Sequence, residues 1–132
     1  MADKFDKLSD LYNQLGVAAL ALAGPGNHQI LIYAEAGEGW TGISVYINEA
    51  TRVVYLDDVD EIDDIVMDLW YAEESDKRWQ EIQIDIDGTK FEARPLYSDQ
   101  LNKRETYDDR RERAVKERFG DKPIYYSPLS ID

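Results

Sequence analysis

Apolar residues recur at two different spacings along this chain, and the spacing changes from one segment to the next. Over residues 3–23 they recur every three or four positions, which predicts an amphipathic α-helix that ends at the Gly-Pro-Gly-Asn run of residues 24–27. The same spacing predicts a second helix over about residues 60–75 and a third over about residues 99–119, with Gly120 as the residue that terminates it.

Alternation of apolar and polar residues predicts β-strands between these helices. Three strands are expected at about residues 30–35, 42–48 and 51–56, joined by short turns into an antiparallel meander. A separate two-stranded hairpin is expected over residues 79–96, where isoleucines alternate with polar residues up to an Asp-Gly turn. These elements predict one α+β domain over residues 1–132, in which helices pack on one side of an antiparallel sheet.

The register of the hairpin can be predicted from both of its faces. One register opposes apolar residues on one side and acidic to basic residues on the other, so both faces favour it. The facing pairs in this register are Ile84 with Phe91, Ile82 with Ala93, Asp85 with Lys90, and Glu81 with Arg94. It predicts that Phe91 is buried and that the charged pairs are exposed.

The segment from residue 55 to residue 76 contains ten carboxylates and no basic residue. Within the helix predicted there, a core-facing stripe is formed by Ile62, Ile65, Val66, Leu69 and Ala72. The other side combines carboxylates with an aromatic ring and a methionine, a mixture that suggests a surface for a basic partner. The candidate binding residues are Asp63, Asp64, Met67, Asp68, Tyr71 and Glu74.

A simpler interpretation of some of these acids is helix chemistry. Asp60 would be the N-cap, and the acids that follow it would interact favourably with the helix dipole, which accounts for about four of the ten. The remaining acids would then belong to a solvated face. The spacing does not match a calcium-binding loop, so neither a metal site nor a cofactor is predicted.

Composition sets the class of partner. The chain has a net charge of −13 and a pI of about 4.4, which argues against direct binding to nucleic acid or to an anionic membrane. Residues 1–102 carry a net charge of −14, whereas residues 103–122 carry +2, so a basic protein complements most of the chain. There is no cysteine, which excludes disulfides and thiol catalysis and is compatible with the cytoplasmic location that we expect.

Residues that could carry catalysis are few. The single histidine, His28, lies in a predicted turn, where a histidine is more often a polar surface residue than a base. Arg104, Arg111 and Arg118 recur every seven residues and share one side of the third helix. We interpret them as packing residues whose charged ends reach solvent or internal carboxylates, rather than as a phosphate site. No catalytic residue is therefore assigned, and the protein is not expected to be an enzyme.

Several features together match one family by pattern. They are the N-terminal amphipathic helix, the strand Ile-Leu-Ile-Tyr-Ala-Glu at 30–35, the hairpin from Trp79 through Gly-Thr-Lys-Phe at 88–91, and the late arginine-rich helix ending Phe-Gly-Asp-Lys-Pro at 119–123. In these the chain resembles the YezG-like immunity or antitoxin family, which neutralises nuclease toxins of bacterial competition systems. The resemblance implies stoichiometric, one-to-one inhibition of a cognate toxin, either a DNase or an RNase.

Two other classes of function stay open on the residues alone. One is a non-catalytic acidic adaptor module for a basic protein that is unrelated to toxins. The other is a small carboxylate-dependent enzyme, which a bound divalent ion would favour.

Overall fold

The computed structural model describes residues 4–56, 59–101 and 104–126, and in these it contains three α-helices and a six-stranded sheet. The helices are α1 (Lys4–Ala23), α2 (Asp60–Ala72) and α3 (Tyr107–Phe119). The strands are β1 (Gln29–Gly37), β2 (Trp40–Asn48), β3 (Val53–Leu56), β4 (Glu81–Asp87), β5 (Lys90–Leu96) and β6 (Ile124–Tyr126). The predicted α+β class, a sheet packed with helices, is confirmed.

The strands lie side by side in the order β5-β4-β1-β2-β3-β6. Five of them pair antiparallel with their neighbours, while β6 pairs parallel with β3 through Ile124 opposite Val53. β1 is central, because it pairs with β2 on one side and with β4 on the other. The two edges of the sheet are therefore β5 and β6, while the first strand of the chain lies in its interior.

Helices lie on both faces of the sheet, so the prediction that they pack on one side is wrong. Ile30 and Ile32 of β1 face a core that contains α1 and α2 residues, whereas Leu31 and Tyr33 face a second core that contains residues of α3. A strand that is buried on both faces is a continuous apolar run rather than an alternating one. Residues 30–34 form such a run and are all buried, so they do not divide into one buried and one exposed face as the predicted alternation requires.

The bounds of α2 differ from the predicted ones at both ends. Val59, rather than Asp60, is the N-cap, and no side chain caps the first turn. The helix ends at Ala72, about one turn before the predicted end, because Glu73 has an extended backbone. The predicted apolar stripe is correct: Ile62, Ile65, Val66 and Leu69 are buried, and Trp70 joins them. The carboxylates at 57 and 58 lie outside the described residues.

α3 begins later than predicted and ends where predicted. Thr106 accepts a hydrogen bond from the backbone of Asp109, while the Asp109 side chain accepts from the backbone of Thr106. This reciprocal capping box fixes the helix start at Tyr107, and residues 98–100 form a separate 3₁₀ turn. Gly120, with a φ of 80°, follows the last helical residue as predicted.

The β4–β5 register is shifted by two residues from the prediction. Ile84 lies opposite Ala93, and Phe91 lies opposite Ile86. The turn consists of Gly88 and the threonine after it, with Gly88 at a φ of 59°, which suits the first central position of a tight hairpin turn. A shift of two residues returns every side chain to the same face, so alternation alone does not distinguish the two registers.

The shift changes the predicted charge pairs and burial. Asp85 lies opposite Glu92, Asp87 opposite Lys90, Gln83 opposite Arg94, and Glu81 opposite Leu96. Arg94 reaches diagonally to Asp85, with 2.8 Å between Nη2 and Oδ2. Phe91 is 40% exposed, with its ring edge-on to Tyr12 of α1, whereas Glu81 is buried. The predictions of a buried Phe91 and an exposed Glu81 are therefore wrong.

Candidate protein-binding face

The outer side of α2 presents an acidic face, defined here by Asp64, Asp68 and Tyr71. The three side chains follow one another at helical spacing, and all are exposed; Tyr71 is 46% exposed. The opposite side of the helix is anchored in the core by the buried stripe. The acidic face is thus displayed on a well-packed helix, so its side chains start from a fixed backbone.

The other three candidate residues are placed less favourably for contact with a partner. Asp63 is half-buried and accepts a hydrogen bond from the Thr41 hydroxyl, which ties α2 to the start of β2. Met67 is also half-buried. Glu74 lies beyond the end of α2, at the start of a 3₁₀ turn, and its carboxylate is 3.5 Å from Nζ of Lys77. The prediction that Glu74 belongs to the outer face of the helix is therefore wrong.

Tyr71 connects the acidic face to the turn between β1 and β2. Its hydroxyl oxygen accepts a hydrogen bond of 2.9 Å from the backbone amide of Gly39. The next residue, Trp40, is the first of β2 and is 49% exposed. Two exposed aromatic residues, Tyr71 and Trp40, therefore meet the same short turn, one through a hydrogen bond and the other as its next residue.

Trp40 is fixed by the glycine opposite it in the β1–β2 hairpin. Gly37 pairs with Trp40, and a Cβ atom at position 37 would overlap the indole ring. The ring therefore lies directly against the backbone of Gly37. Trp40 is not among the site residues predicted from the sequence. The only signal there is a tryptophan that directly follows the Gly-Glu-Gly run of residues 37–39.

Arg78 closes the C-terminal end of α2. Its guanidinium lies 4.5 Å from the ring centroid of Trp70 and 5.3 Å from that of Tyr71. Its Nε donates at 3.1 Å to the carbonyl oxygen of Trp70, which also accepts from the backbone amide of Glu73. Its Nη2 donates at 3.4 Å to the carbonyl oxygen of Tyr71, one of the last acceptors of the helix. The indole of Trp70 in turn donates to the Trp79 carbonyl. Arg78 therefore supports the backbone around Tyr71.

The basic C-terminal helix lies on the other face of the sheet from α2. Its ion pairs are Arg110 with Glu35 and Glu81, Arg111 with Asp108, Arg113 with Glu105 and Glu117, and Arg118 with Asp85. The sequence predicted that Arg104, Arg111 and Arg118 reach solvent or internal carboxylates. This is confirmed for Arg118, which pairs with Asp85. Arg104 precedes the helix. These arginines of α3 therefore pair with carboxylates on their own side of the sheet.

A buried polar cluster joins α3 to β1 and β4. The Tyr33 hydroxyl donates to the Glu81 carboxylate, and Arg110 Nε donates to the same carboxylate at 3.0 Å. Arg110 also approaches Glu35, which lies opposite Glu81 on the neighbouring strand. Burial, together with the hydrogen bond to Glu81, raises the pKa of Tyr33, so its phenol stays protonated as the donor. Sequence reasoning missed this cluster, because Arg110 is not among the predicted arginines.

Other chemistry is limited in the residues that the structure describes. No group of three or more histidine or acidic side chains there is placed to hold a metal ion. His28 Nε2 lies 2.9 Å from the Pro25 carbonyl oxygen, within its own turn. None of the described helices combines the length and the apolar character that a membrane span requires. No protein-family model matches the sequence, and no curated protein matches it either.

Proposed function

We propose that this protein is an immunity protein or antitoxin that binds a cognate toxin one to one and blocks it through the acidic face. The toxin would be a basic nuclease domain, and the complex would form in the cytoplasm. The observation that best supports this is the exposed pair of carboxylates, Asp64 and Asp68, next to the exposed ring of Tyr71 on a packed helix.

The carboxylates and the ring contribute different properties to such a complex. A face of one charge sign, on a chain with a net charge of −13, accelerates encounter with a basic partner by long-range attraction. Tyrosine is enriched among the residues that dominate binding energy, because it buries a large rigid surface and keeps a polar end. Together they favour fast association with slow dissociation.

Inhibition follows from what a nuclease site is built to bind. A nuclease attracts the phosphate backbone with basic side chains. A row of carboxylates presents a similar density of negative charge, so the acidic face can occupy that site or lie beside it and repel the substrate. This mechanism needs neither turnover nor a metal ion on the immunity protein, and a chelator should leave inhibition unaltered.

The direct experiment starts from the neighbouring gene. If an upstream gene encodes a large protein that ends in a basic domain, that purified domain is titrated with this protein by calorimetry, and its nuclease activity is measured across the titration. We expect binding at a ratio of one to one and loss of nuclease activity at the same ratio. Binding without inhibition would favour the adaptor class, and no binding would contradict the proposal.

Matched variants connect the result to the acidic face. The double variant Asp64→Lys/Asp68→Lys changes the charge of α2, while Glu112→Lys/Glu117→Lys makes the same change in charge with exposed residues of α3, on the other face of the sheet. The α2 variant should lose protection of cells that express the toxin, and the α3 variant should retain it. Equal loss in both would show that net charge, rather than the acidic face, matters.

A further inference from the structure

A cleft lies next to the acidic face, where the end of β1 and the start of β2 meet the segment that follows α2. Its volume is about 670 Å³, within the range of about 300–1,000 Å³ that is usual for ligand sites. All three tryptophans of the chain line it, together with Tyr97, Asp76 and Asp99 among others. We refer to it as the Trp40 cleft.

Trp40 gives the cleft an aromatic wall that is already in position. One part of the indole rests on Gly37, as described above, and 49% of the residue is exposed. Trp70 and Trp79 are buried and form the base. Because the indole of Trp40 is restrained before binding, a ligand that stacks on it loses little free energy to ordering of the side chain.

The charge of the cleft is negative. Asp76 and Asp99 are exposed, and within the described part of the chain neither carboxylate has an ion-pair partner. The same two acids also line an adjoining depression with Glu73. Arg78 is the one basic residue among the described residues of the Trp40 cleft, and its guanidinium is already stacked on Trp70 and bonded to that residue's carbonyl.

A half-exposed indole and two carboxylates that line the same cleft are suited to a flat cation. Guanidinium stacks on aromatic rings and pairs with carboxylates at the same time, which a compact ammonium ion does less well. The Arg78–Trp70 pair is an example of this stacking at the base of the same cleft. Anionic ligands would be repelled by Asp76 and Asp99.

We infer that the Trp40 cleft binds an arginine side chain of the basic partner, held between the indole of Trp40 and the carboxylates of Asp76 and Asp99. This inference rests on the proposed function for the identity of the partner. It adds a second anchoring contact to that of Tyr71, while the carboxylates of the acidic face guide the encounter. The cleft and Tyr71 are connected through the β1–β2 turn, because Gly39 donates to the Tyr71 hydroxyl and directly precedes Trp40.

The chemistry of the cleft can be tested without any toxin. The probe is the peptide acetyl-Gly-Arg-Gly-amide, and its control replaces arginine with citrulline, which has nearly the same shape and no charge. Binding is followed by the indole N–H resonance of Trp40 in heteronuclear NMR spectra, assigned by its loss in Trp40→Phe. We expect a saturable shift with the arginine peptide and an affinity lower by about tenfold for the citrulline peptide.

Variants then separate the carboxylates from the rest of the surface. Asp76→Asn/Asp99→Asn should weaken binding of the arginine peptide by about tenfold, whereas Glu112→Gln/Glu117→Gln, which removes the same charge from exposed residues of α3, should change it by less than about threefold. Circular dichroism spectra confirm that each variant is folded. Three results would overturn the inference. They are equal affinity for the two peptides, unaltered affinity in Asp76→Asn/Asp99→Asn, and a larger shift with the uncharged sugar maltose than with the arginine peptide.

The basic toxin domain distinguishes failure of this inference from failure of the proposed function. If the domain binds and Trp40→Ala does not accelerate its dissociation, the anchoring contact is wrong while the immunity function stands. If the arginine peptide binds as expected but the domain does not, the immunity function is wrong, and the inference stands only as an arginine site. Faster dissociation by at least about tenfold in Trp40→Ala supports both.

Discussion

Arg110 and Glu81 form a buried ion pair between α3 and β4, with 3.0 Å between Nε and Oε1. Glu81 is 1% exposed and Arg110 is 9% exposed. The Tyr33 hydroxyl donates to the same carboxylate, and the Glu105 backbone carbonyl accepts from Arg110 Nη1 at 2.8 Å. The pair is thus compensated by further hydrogen bonds, which a buried charge requires.

Removing one partner of this pair should strongly destabilise the fold. Arg110→Ala leaves Glu81 buried without its cation, and we expect the free energy of unfolding to fall by about 3–5 kcal/mol. Arg113→Ala is the control, because the Arg113 side chain is 51% exposed, and it should cost less than about 1 kcal/mol. Urea denaturation measures both. Similar losses for the two variants would contradict the buried position of the pair.

The β4–β5 register predicts unequal effects of two similar substitutions. Ile84→Asp introduces a charge into the core that contains α1 and α2, opposite Ala93, and should lower the free energy of unfolding by several kcal/mol. Phe91→Asp places the charge at a site that is 40% exposed and loses mainly the contact with Tyr12, so about 1–2 kcal/mol is expected. Thermal unfolding compares them. Equal losses would support the alternative register, in which Phe91 is buried opposite Ile84.

Tyr46 should make stability fall at high pH. Burial raises the pKa of Tyr46 to about 12, against the opposing effect of Arg111, while the phenol of an unfolded chain has a pKa near 10. Between these values the folded state holds more protons than the unfolded state, so stability decreases as pH rises. The contribution of Tyr46 is intact below about pH 10, and about 2–3 kcal/mol is lost by pH 12.

The matched variant for this prediction is Tyr46→Phe. It removes the ionisable group and keeps the ring that packs against Tyr55. Urea denaturation at a series of pH values should show a smaller decrease above about pH 10 in the variant than in the original protein. Parallel profiles would mean that Tyr46 does not retain its proton in the folded state.

Tyr71 should affect dissociation from the toxin more than association. If its ring is a dominant contact, Tyr71→Ala should weaken binding by about 2 kcal/mol, mainly through a faster off-rate. Tyr71→Phe keeps the ring and removes only the acceptor for the Gly39 amide, so it should cost less. Surface plasmon resonance with the basic domain measures both rates. An off-rate that is unaltered in Tyr71→Ala would exclude Tyr71 from the interface.

The parts of the fold that depend on short-range pattern could be predicted from sequence. The apolar stripe of α2 and the end of α3 at Gly120 depend on spacing and on one glycine, and both are correct. The β4–β5 register could not be predicted, because both candidate registers place the same residues on each face. The start of α3 depends on one capping box within a charged segment, and the spacing of apolar residues does not reveal a capping box.

The candidate site was predictable only where it lies on one helix. Asp64, Asp68 and Tyr71 share a face because helix geometry requires it. Trp40 belongs to the site because a turn from another part of the chain docks on Tyr71, and this contact joins residues 32 positions apart. The burial of Glu81 depends similarly on Arg110, 29 residues away. Such contacts follow from the topology of the sheet and have no local signal.

The salt dependence of association tests the acidic face most directly. We would measure the association rate of Asp64→Lys/Asp68→Lys with the basic toxin domain, from low salt to well above about 0.1 M, where screening acts within about 10 Å. We expect an unaltered melting temperature and an association rate that is lower by about tenfold or more at low salt, with the difference shrinking as salt rises. A folded variant that associates at the original rate and still protects cells would contradict the proposal that the acidic face binds the toxin.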